Sequence, residues 1–172
     1  MNKVILIGYM AVGKSTVAGV LSSKTGINYV ELDELIEKKC NLNIDQIFKS
    51  KGEIFFRKIE HEIFTQLVEN EQRLIISTGG GTPCYSDNHL RLNSKNTLSI
   101  YLKASLPILV ERLKLEKNKR PLVASLANEE LMEFVAKQLF ERSYFYNQAT
   151  YVLDTDNKNA DMISQEIIEL LN

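Results

Sequence analysis

The stretch Gly8-Tyr9-Met10-Ala11-Val12-Gly13-Lys14-Ser15 constrains this chain more than any other. It comes after the β-branched run Lys3–Ile7 and opens a helical stretch over Lys14–Lys24, so a GxxxxGKS pattern lies between a buried strand and a helix. The spacing has a physical reason. Glycines let the backbone curl until successive N–H groups point into one concavity, an anion nest. The next helix adds the positive end of its dipole. Lys14 then reaches the β- and γ-phosphate oxygens of a nucleotide, and the Ser15 hydroxyl is placed to ligate Mg²⁺. The pattern implies nucleotide phosphate binding and leaves the subsequent chemistry open.

Hydrophobic periodicity places this loop in a larger frame. Short apolar runs at Lys3–Ile7, Asn28–Leu32, Leu74–Ser77, Leu98–Leu102 and Tyr151–Leu153 read as strands. Helical stretches separate them, at Lys14–Lys24, Glu34–Lys39, Ile44–Ser50, Glu53–Asn70, Leu106–Leu115, Glu129–Tyr146 and Ala160–Leu171. The runs are continuous more than alternating, which suits strands covered on both faces. Strand–helix alternation predicts a three-layer α/β fold with a five-stranded parallel sheet and right-handed crossovers. Ligands in such sheets gather beyond the carboxyl ends of the strands, so functional residues are expected just after each strand.

They are found there. A guanine-nucleotide switch is disfavoured, because no NKxD or DxxG segment occurs. The third strand runs into Gly79-Gly80-Gly81 instead of the acidic residue usual in phosphate-loop ATPases. Acids sit at the end of the second strand as Glu31-Leu32-Asp33, and period-2 spacing predicts both on one strand face. One could hold water on Mg²⁺ while the other orients a substrate hydroxyl; a solvated strand end is the alternative. Three glycines at a strand terminus permit close approach of backbone to a ligand, or strained φ values.

Two arginines stand out by position. Phe56, Ile59, Ile63 and Leu67 form an apolar stripe, with Glu60 inside it and Arg57 at its edge. Charges that face a core are costly unless paired, so Arg57 and Glu60 are expected to couple. Arg142 falls on the same helical line as Leu131, Val135 and Phe145. Each arginine admits a structural salt bridge or a ligand role. Two of them beside a glycine floor favour binding a carboxylate, for which guanidinium offers bidentate geometry. The charged connection 113–126, with Lys119-Arg120-Pro121-Leu122 inside it, reads as a solvated loop or as a lid that closes on the transferring phosphoryl group and excludes water.

Composition narrows the class further. The 172 residues are 44% hydrophobic and 25% charged, enough for one domain with its own core and without disulfide or metal staples. Apolar runs are short, as in Val4-Ile5-Leu6-Ile7, so no segment spans a bilayer. The N-terminus lacks a signal-peptide pattern, and a cytoplasmic protein is expected. A net charge of −1 and a pI near 6.2 advertise neither nucleic acid nor an anionic membrane as partner. Cys40 and Cys84 match no CxxC spacing and read as reduced thiols. His61 and His89 have no partner at metal-ligand spacing and read as surface or structural residues.

Taken in order and spacing, these residues resemble the shikimate kinases over nearly the whole chain. The matching positions are Gly8–Thr16, Asp33, Gly52-Glu53, Phe56-Arg57, Ile59-Glu60, Gly79–Gly81, Arg120-Pro121-Leu122, Arg142 and Asp154-Thr155. The resemblance implies a single phosphate-loop kinase domain over 1–172, with 33–60 binding the acceptor. It implies transfer of the γ-phosphoryl of ATP to the 3-hydroxyl of shikimate, on the way to the aromatic amino acids. By the same resemblance Ala11, Val12, Gly13, Lys14, Ser15, Thr16, Arg112 and Arg120 hold ATP, and Ser15 ligates Mg²⁺. Asp33, Lys14 and Arg120 would be catalytic, while Asp33, Arg57, Gly79, Gly80, Gly81 and Arg142 would bind shikimate, with Glu60 supporting Arg57. The chain departs from the family pattern at Glu31, usually Asp, at Ala11, commonly glycine, and at Ser143-Tyr144, where proline and tyrosine are frequent. Neutral charge and the absence of heptads make a monomer the default. The rival readings are a kinase for gluconate or a nucleoside monophosphate, and a nucleotide-binding regulatory module without catalysis.

Overall fold

Every residue of β1 (Lys3–Ile7) and β3 (Leu74–Ser77) is buried, as the continuous apolar runs require. A computed structural model describes residues 2–115 and 126–171. All five strands pair in parallel, in the order β2-β3-β1-β4-β5, where β2 is Tyr29–Glu31, β4 is Thr97–Lys103 and β5 is Tyr151–Asp154. Coverage on both faces holds for the three central strands. The edge strands β2 and β5 are only half-buried or exposed, because each has a neighbour on one side alone.

Helices flank this sheet. Helix α1 (Lys14–Thr25) packs on α7 (Ala160–Leu171), α2 (Leu32–Cys40) on α3 (Ile44–Glu69), and α5 (Leu106–Leu115) on α6 (Asn128–Tyr146); the one-turn α4 is Asn88–Arg91. The two helical stretches expected around residue 51 are one element broken at Gly52, whose φ of 82° interrupts the helix and favours a residue without Cβ. Asn43 starts α3 with a capping box: its side chain accepts from the Gln46 amide at 2.9 Å, and the Gln46 side chain accepts from the Asn43 amide at 3.0 Å. The buried ammonium of Lys3 reaches from β1 to the backbone carbonyls of Asn70 and Gln72 and to the Asn70 side chain, so this inward charge is satisfied where α3 ends.

The strand order decides where a site can form. After β1 the chain moves out to β2, returns through β3 and then crosses β1 to reach β4. In the β1–β3 ladder Leu6 lies beside Ser77, so the loops leaving the carboxyl ends of these two strands are neighbours. Thr78 clamps them together, donating to the Leu6 carbonyl through both its amide, at 3.2 Å, and its hydroxyl, at 2.9 Å. No helix among the described residues is long and apolar enough to cross a membrane.

Candidate active site

The loop between β1 and α1 turns as its glycines suggest. Gly8 has a φ of 146°, and a Cβ there would lie 2.5 Å from the Leu102 carbonyl oxygen, so the close pass of β1 against β4 excludes any larger residue. Ala11, at φ 62°, and Gly13, at φ 101°, complete the curl in the left-handed region. The first turn of α1 carries no acidic residue to neutralise its positive end, as an anion site needs. Lys14 is buried, with Nζ 2.9 Å from the Gly8 carbonyl and 3.1 Å from that of Tyr9. From α5, Arg112 Nη1 donates to the carbonyls of Val12, at 3.0 Å, and Ala11, at 3.3 Å. That guanidinium braces the backbone of the loop.

Gly79, Gly80 and Gly81 form a floor beside it, and none of the three has a positive φ. Their role is close approach, not strain. A Cβ on Gly79 would lie 3.0 Å from Glu60 Oε1 and 3.3 Å from Asp33 Oδ1; on Gly80 it would lie 3.3 Å from Arg142 Nη1; on Gly81 it would fall on the guanidinium of Arg57, 2.7 Å from Nη1 and 2.8 Å from Cζ. Three consecutive glycines thus admit four different charged side chains. The same floor reaches the phosphate loop, since a Cβ on Gly80 would also lie 3.4 Å from the Met10 amide nitrogen.

The two arginines are held differently. Arg57 Nη1 donates to Oε2 of the fully buried Glu60 at 2.7 Å, and Thr82 Oγ1 donates to Oε1 of the same carboxylate at 2.7 Å. Burial pushes the Glu60 carboxyl up, against the pull of Arg57 and of the Thr82 hydroxyl. Burial also works against the charge on Arg57, but the adjacent Glu60 carboxylate overrides it and leaves the guanidinium firmly protonated. Arg142 makes no ion pair with a carboxylate among the described residues. Its guanidinium lies over the Tyr9 ring, 5.4 Å from the centroid, next to the buried Tyr146 hydroxyl, which donates to the Gly80 carbonyl at 2.6 Å. Both arginines line one pocket of about 380 Å³ with Glu53, Ile54, Gly81, Cys84 and Tyr85. One guanidinium braced by a carboxylate and one resting on an aromatic face, across an otherwise mixed pocket, suit a small acid.

The acidic pair requires a correction. Strand β2 stops at Glu31 and α2 begins at Leu32, so Asp33 lies in the first turn of a helix and does not share a strand face with Glu31. Leu32 and Ile36, both fully buried four residues apart, carry the helical period that the preceding strand masks. The helix start still directs Asp33 to Gly79, in a position where its charge faces the helix dipole favourably. Glu31 Oε1 is buried without a hydrogen bond, and burial raises its carboxyl pKa against the pull of the nearby Ser77 and Ser15 hydroxyls. An orphaned carboxylate oxygen close to the hydroxyl of Ser15 is an acceptor that water on a Mg²⁺ held by Ser15 could use.

Sequence reading missed several of these residues. Cys84 and Tyr85 line the pocket, and Tyr9 and Tyr146 hold Arg142 in place. Thr82 and Asn88 are fully buried polar residues directly behind the floor. A tyrosine inside the phosphate loop was the one visible signal; the others depend on contacts between distant segments. His61 is a satisfied structural residue, with Nδ1 2.7 Å from Asn88 Oδ1. His89 packs its ring edge-on against Phe145, centroids 5.3 Å apart. Lys119, Arg120 and most of the 113–126 lid lie outside the described residues.

Known proteins resemble this chain in sequence and in fold. The sequence model described as shikimate kinase matches residues 10–172. A shikimate kinase of Flavobacterium johnsoniae is 48% identical over 171 residues, 99% of each chain. The crystal structure of a shikimate kinase from Bacteroides thetaiotaomicron superposes with a TM-score of 0.89 at 31% identity, covering 98% of this chain and 97% of that one. A shikimate kinase from Acinetobacter baumannii in complex with shikimate gives a TM-score of 0.88 at 28% identity, covering 99% and 93%. Matched by that family's model from residue 10 to the last, and 48% identical to a shikimate kinase over 99% of each chain, this chain belongs to the shikimate kinase family.

Proposed function

We propose that the glycine floor assembles the transfer site, with each functional residue acting from its own place around it. The reaction of the family is transfer of the γ-phosphoryl of ATP to the 3-hydroxyl of shikimate. Such transfers ask little covalent chemistry of a protein and depend on positioning and charge stabilisation. Arg57 and Arg142 clamp the shikimate carboxylate, and Glu60 holds Arg57 from behind. Gly79, Gly80 and Gly81 let the ring lie against backbone. Asp33 orients the 3-hydroxyl and accepts its proton as the oxygen attacks. Backbone amides of residues 11–16 and the side chain of Lys14 hold the phosphates, while Arg120 joins from the lid to offset charge on the moving phosphoryl group. Arg112 and the segment after Asp154-Thr155 border the adenine side. Mg²⁺, when bound with ATP, supplies charge neutralisation at the phosphates; Ser15 would ligate it directly and Glu31 through water.

The observation that carries this reading is the succession along Gly79–Gly81, which faces Asp33, Arg142 and Arg57 in turn. An ADP-release assay with shikimate, gluconate, AMP and CMP as acceptors tests it. Release with shikimate alone is expected; release with gluconate or a nucleoside monophosphate in its place would overturn the assignment. Asp33→Asn should retain ATP binding and lower turnover by roughly 10²–10⁴. The whole chain acts as one kinase unit, with 33–60 as acceptor-binding region and 113–126 as lid. It works as a monomer, to be checked by light scattering, and in the cytoplasm, where its ATP is supplied.

A further inference from the structure

We propose that Thr82, supported by Asn88 and His61, is a positioning residue that keeps donors of Arg57 available for the carboxylate of the acceptor. The proposal rests on the reading of Arg57 as acid clamp and goes beyond it, to what sets the clamp.

Donor and acceptor parity assigns every hydrogen in this buried chain of contacts. Glu60 is fully buried and offers two oxygens: Oε2 takes one N–H of Arg57 at 2.7 Å, and Oε1 takes the Thr82 hydroxyl at 2.7 Å. Thr82 is itself fully buried at the start of a single 3₁₀ turn, Thr82–Cys84, immediately after the glycine floor. Its carbonyl accepts from Asn88 Nδ2 at 2.7 Å. A carbonyl only accepts, so the amide nitrogen of Asn88 must face it and the amide oxygen must face His61 Nδ1, 2.7 Å away. Two acceptors cannot pair, and His61 therefore carries a hydrogen on Nδ1. From the half-exposed His61 to the buried Glu60, each group donates inward.

The consequence lies at the inner end. The Thr82 hydroxyl holds Oε1 turned toward itself, Glu60 is engaged by Arg57 through one nitrogen, Nη1 on Oε2, and Arg57 Nη2 makes no hydrogen bond among the described residues while lying against Gly81 at the pocket wall. An oxygen with two lone pairs is not filled by one donor, so what Thr82 fixes is the rotation of the carboxylate; without its hydroxyl the carboxylate is free to turn both oxygens to Arg57, giving the forked pair that guanidinium and carboxylate prefer. Those donors would then turn from the pocket. The Thr82 hydroxyl thus decides how Arg57 divides its hydrogen bonds between its buried support and its ligand.

Thr82→Val keeps the shape and removes the donor, whereas Thr82→Ser keeps the donor. Thr82→Val should raise the KM and the calorimetric Kd for shikimate about tenfold, with kcat and ATP affinity little changed; Thr82→Ser should restore both values. Wild-type shikimate affinity in Thr82→Val would overturn the proposal. Arg57→Ala separates the two layers: loss of affinity there with none in Thr82→Val sinks the positioning role alone, while retained affinity in Arg57→Ala sinks the clamp reading. Should Thr82→Val fail to fold, Thr82→Ala, which also removes the donor, is read in the same way, and unchanged shikimate affinity there would overturn the proposal. ¹⁵N NMR of His61 in the wild-type protein at pH 8 tests the outer support: a neutral ring protonated on Nδ1 is expected, and one protonated on Nε2 would overturn the part given to Asn88 and His61.

Discussion

The guanidinium of Arg142, on α6, lies over the ring of Tyr9, in the phosphate loop, with Cζ 5.4 Å from the ring centroid. The Tyr9 hydroxyl returns to the same helix, donating to Gln138 Oε1 at 2.6 Å. One loop residue therefore joins the nucleotide side of the site to the acid side. Tyr9→Leu removes the aromatic face and should weaken shikimate binding by ~1 kcal/mol, about fivefold in KM. Tyr9→Phe keeps the face and should stay near wild type. Steady-state kinetics on both variants check this; equal behaviour of the two would show that the ring face does not hold Arg142.

The glycine floor gives a graded prediction. A Cβ on Gly81 falls on the Arg57 guanidinium, whereas one on Gly80 stands 3.3 Å from Arg142 Nη1. Gly81→Ala must displace Arg57 from the Glu60 carboxylate and should lower shikimate affinity about 100-fold. Gly80→Ala asks only for a small shift of the Arg142 side chain and should do less. Binding of ATP should survive in both, as calorimetry with each ligand separately would establish.

Cys84 gives a pH signature. Burial pushes its thiol from an ordinary 9.0 up to about 11, although Arg142 and Arg57 pull it down. The folded state thus holds the proton more tightly than the unfolded chain. Stability from this group is complete below about pH 9 and is lost as pH rises toward 11. Alkylation by iodoacetamide should accordingly be slow at pH 8, rise steeply only above about pH 10, and be slowed further by shikimate in the same pocket. Rapid alkylation at pH 8 that shikimate leaves unchanged would contradict both the burial and the pocket position.

Ala11 holds a φ of 62°, in the region where a Cβ crowds the next carbonyl. Ala11→Gly should relieve this and raise stability by ~1 kcal/mol, read from urea midpoints. Gly8→Ala should do the reverse, because its Cβ would meet the Leu102 carbonyl oxygen at 2.5 Å, and soluble yield should fall.

Much of the architecture is legible in the order of residues. The strands that build the centre of the sheet are continuous apolar runs, and all five keep their expected place to within a residue at each end. What differs is the helix after the second strand, which starts at Leu32 and not at Glu34 and takes Asp33 with it, because Leu32 and Ile36 bury one helical face and the strand stops when that burial begins. The pairing of Arg57 with Glu60 is legible too, since both lie on one helix three residues apart, a distance that periodicity resolves.

What the amino-acid order determined unaided is local. The phosphate loop needs eight consecutive residues, Gly8 to Ser15, and strand–helix alternation needs only their period, so both are written within single stretches of chain. Which glycine faces which charge is not local: Gly80 meets Arg142 from a distant helix, and Thr82 meets Glu60 from another element. Those meetings depend on the order β2-β3-β1-β4-β5 and on the register that sets Leu6 beside Ser77. Periodicity reports which side of an element is apolar, but not which other element covers it. Only the folded chain, by closing its sheet in that order, turned three neutral glycines into the meeting point of an aspartate and two arginines.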